Sequence, residues 1–239
     1  ELDLTTLRKK QIQRARADVT NWFADRQGKV RIAKKMDDTQ FTYELYNEQK
    51  ESWGTLFSYE VFSEQSISIL GFDKDPNYLY ITALHEGRDA LFKLDLTTKK
   101  RELIYSDDKY DVDGDIFYSR KTGEVAGFTH SHLDDGIQYW DEDLDRLHRS
   151  LRKSLPKDKY EMDIVSTSAD QQKYVLYISS DETSGTYMLG DRKRGDVTAF
   201  ADVYLGITQG GLDVSPGGLR DICLTGMLKR DKDLPGYAI

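Results

Sequence analysis

Along most of this chain, apolar and polar residues alternate in short runs separated by polar turns. Val30 and Ile32, then Phe41, Tyr43 and Leu45, fall at every second position, the spacing of a strand with one face buried. The runs 19–24 and 29–33 flank Asp25-Arg26-Gln27-Gly28, which predicts a hairpin. Strands at 41–46 and 53–59 complete a four-stranded antiparallel sheet. A second unit repeats the plan, with strands at 66–72, 78–84, 90–94 and 101–105. A third begins at 114–118, turns at 121–123 and returns through 124–130. The period then changes. Leu144, Leu147, Leu151 and Leu155 sit at helical spacing with charges between them, so an amphipathic helix over 141–155, ended by Pro156, replaces or follows that unit's outer strand. A fourth unit starts near Met162, turns at 169–172 and uses 174–179, 186–190 and 196–200.

The units form a register. Leu2-Asp3-Leu4-Thr5-Thr6 returns unchanged as Leu94-Asp95-Leu96-Thr97-Thr98, and degenerate copies surround Asn47, Asp141 and Asp191. The turn residues Asp3, Asn47, Asp95, Asp141 and Asp191 follow one another at intervals of 44, 48, 46 and 50. A repeat of that length built from short strands predicts an all-β fold of the β-propeller type, whose blades run to about 40–50 residues. The expectation is about four four-stranded antiparallel blades plus a partial one, over residues 1–205. Residues 206–239, with Gly206, Gly210, Gly211, Gly217 and Gly218 crowded around Pro216, read as a linker and a first strand leading elsewhere.

Composition narrows the function. Fifteen Tyr, nine Phe and three Trp favour sheet over helical bundle. A net charge of −8 argues against nucleic acid as a partner, because that affinity rests on neutralising phosphates. The basic clusters Arg8-Lys9-Lys10, Lys99-Lys100-Arg101 and Arg192-Lys193-Arg194 all follow the recurring turn residue and read as solvated turns. Cys223 is the only cysteine, so no intramolecular disulfide forms, and the bacterial cytoplasm and periplasm both stay open. No apolar run approaches the roughly 20 residues of a membrane span.

Four constellations have chemistry-bearing residue types. Asp111-Val112-Asp113-Gly114-Asp115 has the carboxylate spacing of a Ca²⁺ loop, but Ile116 and Thr122 stand where such a loop needs Gly and Glu, so it reads as an acidic connection. His130-Ser131-His132 with Asp134-Asp135 has metal-capable types, and strand alternation would bring both imidazoles to one face; a polar hairpin tip is the plainer reading. Ser180-Asp181 with Gly185-Thr186-Tyr187 approaches a sialidase Asp-box with its glycine misplaced, and reads as a blade turn in which Asp181 bonds local amides. Trp22, Phe72, Tyr118 and Tyr177 line a channel or, by default, pack between blades. Catalytic, metal and cofactor residues are not expected in this chain.

Several stretches resemble the prolyl oligopeptidase family of serine peptidases, nearest its bacterial acylaminoacyl-peptidase and dipeptidyl aminopeptidase-like members. Residues 18–31 are similar to its V-x-x-W-x-x-D-x-x-G-x-V-R blade start. Leu70-Gly71-Phe72-Asp73 with Leu79-Tyr80-Ile81, continued by Gly87-Arg88-Asp89 and 91–95, is similar to another blade. Trp140-Asp141 and the run ending at Leu155-Pro156 resemble its helical insertion, and Ser179-Ser180-Asp181 with Gly185-Thr186-Tyr187 its last blade. Residues 229–237 resemble the strand leading into its α/β-hydrolase domain, with Lys232 where the family has Gly.

The resemblance implies a Ser-Asp-His triad in that separate domain, its nucleophile in a G-x-S-x-G elbow. No G-x-S-x-G occurs in these 239 residues. The expected role is therefore a non-catalytic propeller fragment that gates and positions peptide substrates, with the hydrolase domain as its partner. The alternative is a stand-alone protein-binding propeller of the TolB type. An open array of blades also implies self-association, or closure of a strand at 2–13 against the last blade.

Overall fold

The computed structural model describes residues 2–156 and 159–203. The expected linker and strand over 206–239, including Cys223 and the stretch 229–237, lie outside them. The described residues are all-β apart from one helix, and they fall into four successive antiparallel meanders, the propeller-like plan expected. The first comprises β1 (Val19–Ala24), β2 (Val30–Asp37), β3 (Gln40–Asn47) and β4 (Ser52–Glu60). The second comprises β5 (Ile67–Phe72), β6 (Tyr78–His85), β7 (Arg88–Asp95) and β8 (Arg101–Tyr105). β9 (Ile116–Tyr118), β10 (Val125–Thr129) and β11 (Ile137–Tyr139) form the third, followed by α1 (Glu142–Arg152). The fourth is β12 (Glu161–Thr167), β13 (Lys173–Ser180), β14 (Thr183–Asp191) and β15 (Asp196–Asp202). Each sheet keeps its strands in chain order.

The repeat proves to be a repeated hydrogen bond. Oδ1 of Asp3 accepts from the amides of Thr5 and Thr6 at 2.8 and 3.0 Å, and Oδ1 of Asp95 from Thr97 and Thr98 at 2.7 and 3.1 Å. Asp191 does the same for Lys193 and Arg194, and Asn47 for Lys50. Four residues after each of these caps the chain turns left-handed: Leu7, Glu51, Lys99 and Gly195 have φ of 55°, 49°, 58° and 67°. The cap satisfies amides that the tight turn strips of strand partners, and the left-handed residue closes it. Only Gly195 adopts that conformation without steric cost. Glu51→Gly is therefore expected to stabilise the first sheet by about 0.5–1 kcal/mol, read as a higher urea midpoint at unchanged m-value. The expected strand at 2–13 is corrected by the same turn. Leu2 bridges Lys9, as Leu94 pairs Arg101, so this segment is a hairpin end.

The described residues fall into two compact units, one of 2–117 with Gly127–Gln138, the other of Tyr118–Ala126 with 139–156 and 159–203. In the first, facing sides of two adjacent meanders bury one another. Ile32 and Tyr43 pack with Phe72, Leu79, Ile81 and Leu94, none more than 2% exposed. Each such side chain contributes about 1.5–3 kcal/mol on burial. The hydroxyl of Tyr43 finds the Ile67 carbonyl at 2.9 Å, so the buried phenol leaves no polar atom unmet.

In the second unit, α1 lies on the fourth sheet. Leu147, Leu151 and Leu155 join Tyr174, Leu176, Ile178, Met188 and Val197 in one core. The third meander thus has three strands, and of the two alternatives expected there the helix replaces the outer strand. Its turn residue explains the change, because Asp141 accepts from Asp143 N and Leu144 N at 3.0 and 3.2 Å and starts a helix. Acidic Glu142, Asp143 and Asp145 in the first turn and basic Arg149 and Arg152 in the last complement the helix dipole. The helix ends at Arg152, ahead of Pro156. Among the described residues no helix is long and apolar enough to cross a membrane.

Candidate functional site

The acidic connection and the histidine hairpin meet in the first unit. After β8 the chain turns at Asp107, whose Oδ1 accepts from Lys109 N and Tyr110 N at 2.7 and 3.0 Å. Asp111 Oδ1 then takes the Asp89 amide at 2.8 Å, and Val112, 5% exposed, plugs beneath. Asp115 and Thr129 exchange backbone and hydroxyl bonds at the start of β9. Between them Gly114 lies so close to the Thr129 carbonyl that no side chain fits there. The carboxylates of Asp111 and Asp113 thus bond to separate places, the Asp89 amide and the turn at His130, while Asp115 holds Thr129 through its backbone.

His130 follows β10 and begins the turn to β11, with its amide on the Gly136 carbonyl at 3.0 Å. Its ring is fully buried. Nδ1 lies 2.8 Å from Asp113 Oδ1, while Nε2 faces Asp107 Oδ2 at 3.6 Å, beyond hydrogen-bond length. Ser131 closes the other side of Asp113, its amide on Oδ1 at 3.1 Å and its hydroxyl on Oδ2 at 2.5 Å. His132 stacks flat on Tyr110, centroids 3.5 Å apart at 7°. Tyr105, Asp107, Tyr110 and His132 line a shallow cleft of about 480 Å³.

The arrangement is a tie between two loops. The Ser131 hydroxyl and Nδ1 of His130 bond the same carboxylate, so the serine is not set against the imidazole as an acyl-transfer pair requires. The alternation expected to align His130 and His132 along a strand stops because β10 ends at Thr129; the rings approach to 5.5 Å edge to face. Among the described residues, no three His, Cys, Asp or Glu side chains converge as metal ligands would. Asp107 is the member that sequence reasoning missed, since nothing local marks it as facing a histidine 23 residues away.

Hydrogen bonds from the Ser131 hydroxyl, then from its amide and from His130, hold the Asp113 carboxyl well below the usual carboxylate range. A carboxyl depressed on folding contributes stability that is complete above the unfolded value, about 3.9, and lost as pH falls below it. Unfolding free energy is therefore expected to drop between about pH 5 and pH 3, with the gap between the wild-type chain and Asp113→Asn shrinking over that window. Urea titrations at each pH measure it, and a gap that does not change with pH contradicts the assignment.

The other candidates lie apart from this tie. At the β13–β14 turn, where Asp181 was expected to bond local amides, Ser180 Oγ accepts from Glu182 N at 3.2 Å. Gly185, φ 91°, sits against the Tyr177 ring. Phe72 packs between sheets as expected. Trp22 instead meets Trp53 at 5.5 Å, and Tyr177 meets Tyr187 at 5.2 Å, each within its own sheet. Tyr118 is half-buried.

Neither family models nor curated proteins match this chain. Among solved structures, TolB from Acinetobacter baumannii is similar at a TM-score of 0.41 and 12% identity, over 80% of this chain and 45% of that one. The chain thus spans under half of that protein's length. At that score the likeness carries no weight, and the assignment of an all-β, propeller-like fold rests on the four meanders.

Proposed function

We propose that this chain is the non-catalytic propeller portion of a serine peptidase of the prolyl oligopeptidase type, which admits short peptides and presents them to a Ser-Asp-His hydrolase domain. The observation that carries the reading is the coincidence of the resembling stretches with blade elements. Residues 18–31 are the β1–β2 hairpin, Leu70-Gly71-Phe72-Asp73 to Asp95 runs through β5, β6 and β7, Asp141 begins the helix, and Ser179 to Tyr187 is the β13–β14 hairpin. The chain has no G-x-S-x-G, and Ser131 beside His130 bonds Asp113, so the contribution proposed is steric selection and positioning.

Size selection is the testable consequence. The complete gene product is expected to hydrolyse N-acetyl-alanyl p-nitroanilide while sparing unfolded casein. Cleavage of casein at a comparable rate would remove the gating role. A complete product without any hydrolase activity would favour the protein-binding alternative.

A further inference from the structure

A second concavity, of about 650 Å³, opens at the turn ends of the first two sheets. Arg31 enters it from β2. One edge of its guanidinium is fixed, with Nη1 3.4 Å from Oδ2 of Asp25. That carboxylate is only 2% exposed, and its Oδ1 accepts from Gln27 N and Lys29 N, both at 3.0 Å. The opposite edge, Nε with Nη2, has no protein acceptor among the described residues, and Nε is buried. Lys50 and Lys99 line the same groove without an ion pair among the described residues. The carboxylate on its rim, Glu48, is occupied by Lys29 Nζ at 3.1 Å. Positive charge is thus concentrated here on a chain whose net charge is −8.

Shape adds to charge. Gly54 in β4 lines the groove, and a side chain built there would meet nothing within 4 Å. Leu56 and Leu96 supply apolar wall to the same groove. A planar Nε–Nη2 fork matches the two oxygens of a carboxylate, which a point-charge ammonium does not.

We propose that this groove binds a carboxylate carried beside an apolar group, the chemistry of a peptide's C-terminal residue with an aliphatic side chain. The proposal does not rest on the peptidase reading, since it is argued from the groove's own charge and shape.

The test is a calorimetric titration of the full chain with N-acetyl-leucine, N-acetyl-leucinamide and inorganic phosphate. The acid is expected to bind saturably, more weakly as salt rises, with the amide and phosphate at least about tenfold weaker. Arg31→Lys keeps the charge and removes the fork, and a loss of about tenfold is expected. Gly54→Val fills the groove with a strand-compatible residue that meets nothing within 4 Å at its Cβ, and is expected to abolish binding at an unchanged urea midpoint. Should Arg31→Lys fail to fold, Gly54→Val with Lys99→Gln decides. No binding of the acid, equal binding of acid and amide, phosphate as tight as the acid, or undiminished affinity in Gly54→Val would overturn the proposal.

Discussion

Gly127→Ala is expected to cost about 3 kcal/mol or more, enough to unfold a domain of ordinary stability. Gly127 sits inside β10, the central strand of the three-stranded sheet. A Cβ there would overlap the carbonyl of Gln138 on β11 and lie 2.6 Å from the ring of Phe117. The ring can rotate, but the carbonyl belongs to the strand β10 pairs with, so relief means separating the strands. Its φ of 156° is also one that residues with side chains rarely adopt. Gly54→Ala is the matched control, since open space lies over Gly54, and it is expected to be neutral within about 0.5 kcal/mol. Urea midpoints of the two variants measure the contrast, and equal midpoints would contradict the packing described for β10.

Asp141→Ala ranks next, at about 2–4 kcal/mol. Asp141 adds a second task to the local cap it shares with its counterparts in the other repeats. Oδ1 caps α1 through Asp143 N and Leu144 N, and Oδ2 accepts from Nε2 of Gln171, a residue 1% exposed. Removing it strips the helix of its cap, worth about 1 kcal/mol, and takes one acceptor from a buried amide, worth about 1–3 kcal/mol. Gln171 keeps the Ser119 hydroxyl at 3.1 Å, which limits the damage. Asp95→Ala and Asp191→Ala remove the same local cap from exposed turns and are expected to cost about 0.5–1 kcal/mol. Asp141→Asn, an equal cap without the charge, is expected to fall between.

The pH dependence of this variant has a definite sign. Burial works to raise the Asp141 carboxyl, and hydrogen bonds from Gln171, Leu144, Asp143 and Ser119 outweigh it, leaving the group below its ordinary value. Its stabilisation is complete above the unfolded value and declines as pH falls below about 4. The deficit of Asp141→Ala relative to the wild-type chain is thus expected to be smaller at pH 3 than at pH 7.

The repeat was legible because it is local chemistry. An Asp or Asn that caps its own next two or three amides announces a turn in any context, so the register Asp3, Asn47, Asp95, Asp141, Asp191 is visible without knowing what packs on what. The helix was legible for the same reason, since Leu144, Leu147, Leu151 and Leu155 mark one face wherever that face is buried. That it takes the place of a fourth strand was less so, because the same Asp opens a hairpin elsewhere and only the following residues decide. The loop tie was not legible. Asp107, Asp113 and His130 are brought together by the path of two loops, and a carboxylate set against a buried imidazole has the same sequence appearance as one facing only water. The groove at Arg31 was equally hidden, being made by turns 25–31, 47–54 and 96–99 that converge only in space.

Labelling with a fluorophosphonate probe, which modifies activated serines, most directly tests the proposal that these meanders select and position while acyl transfer happens elsewhere in the gene product. The complete product is expected to carry the label on one serine outside the 239 residues of this chain, with none on the isolated chain. Label on any serine within this chain, or a complete product that takes up none, would contradict the account.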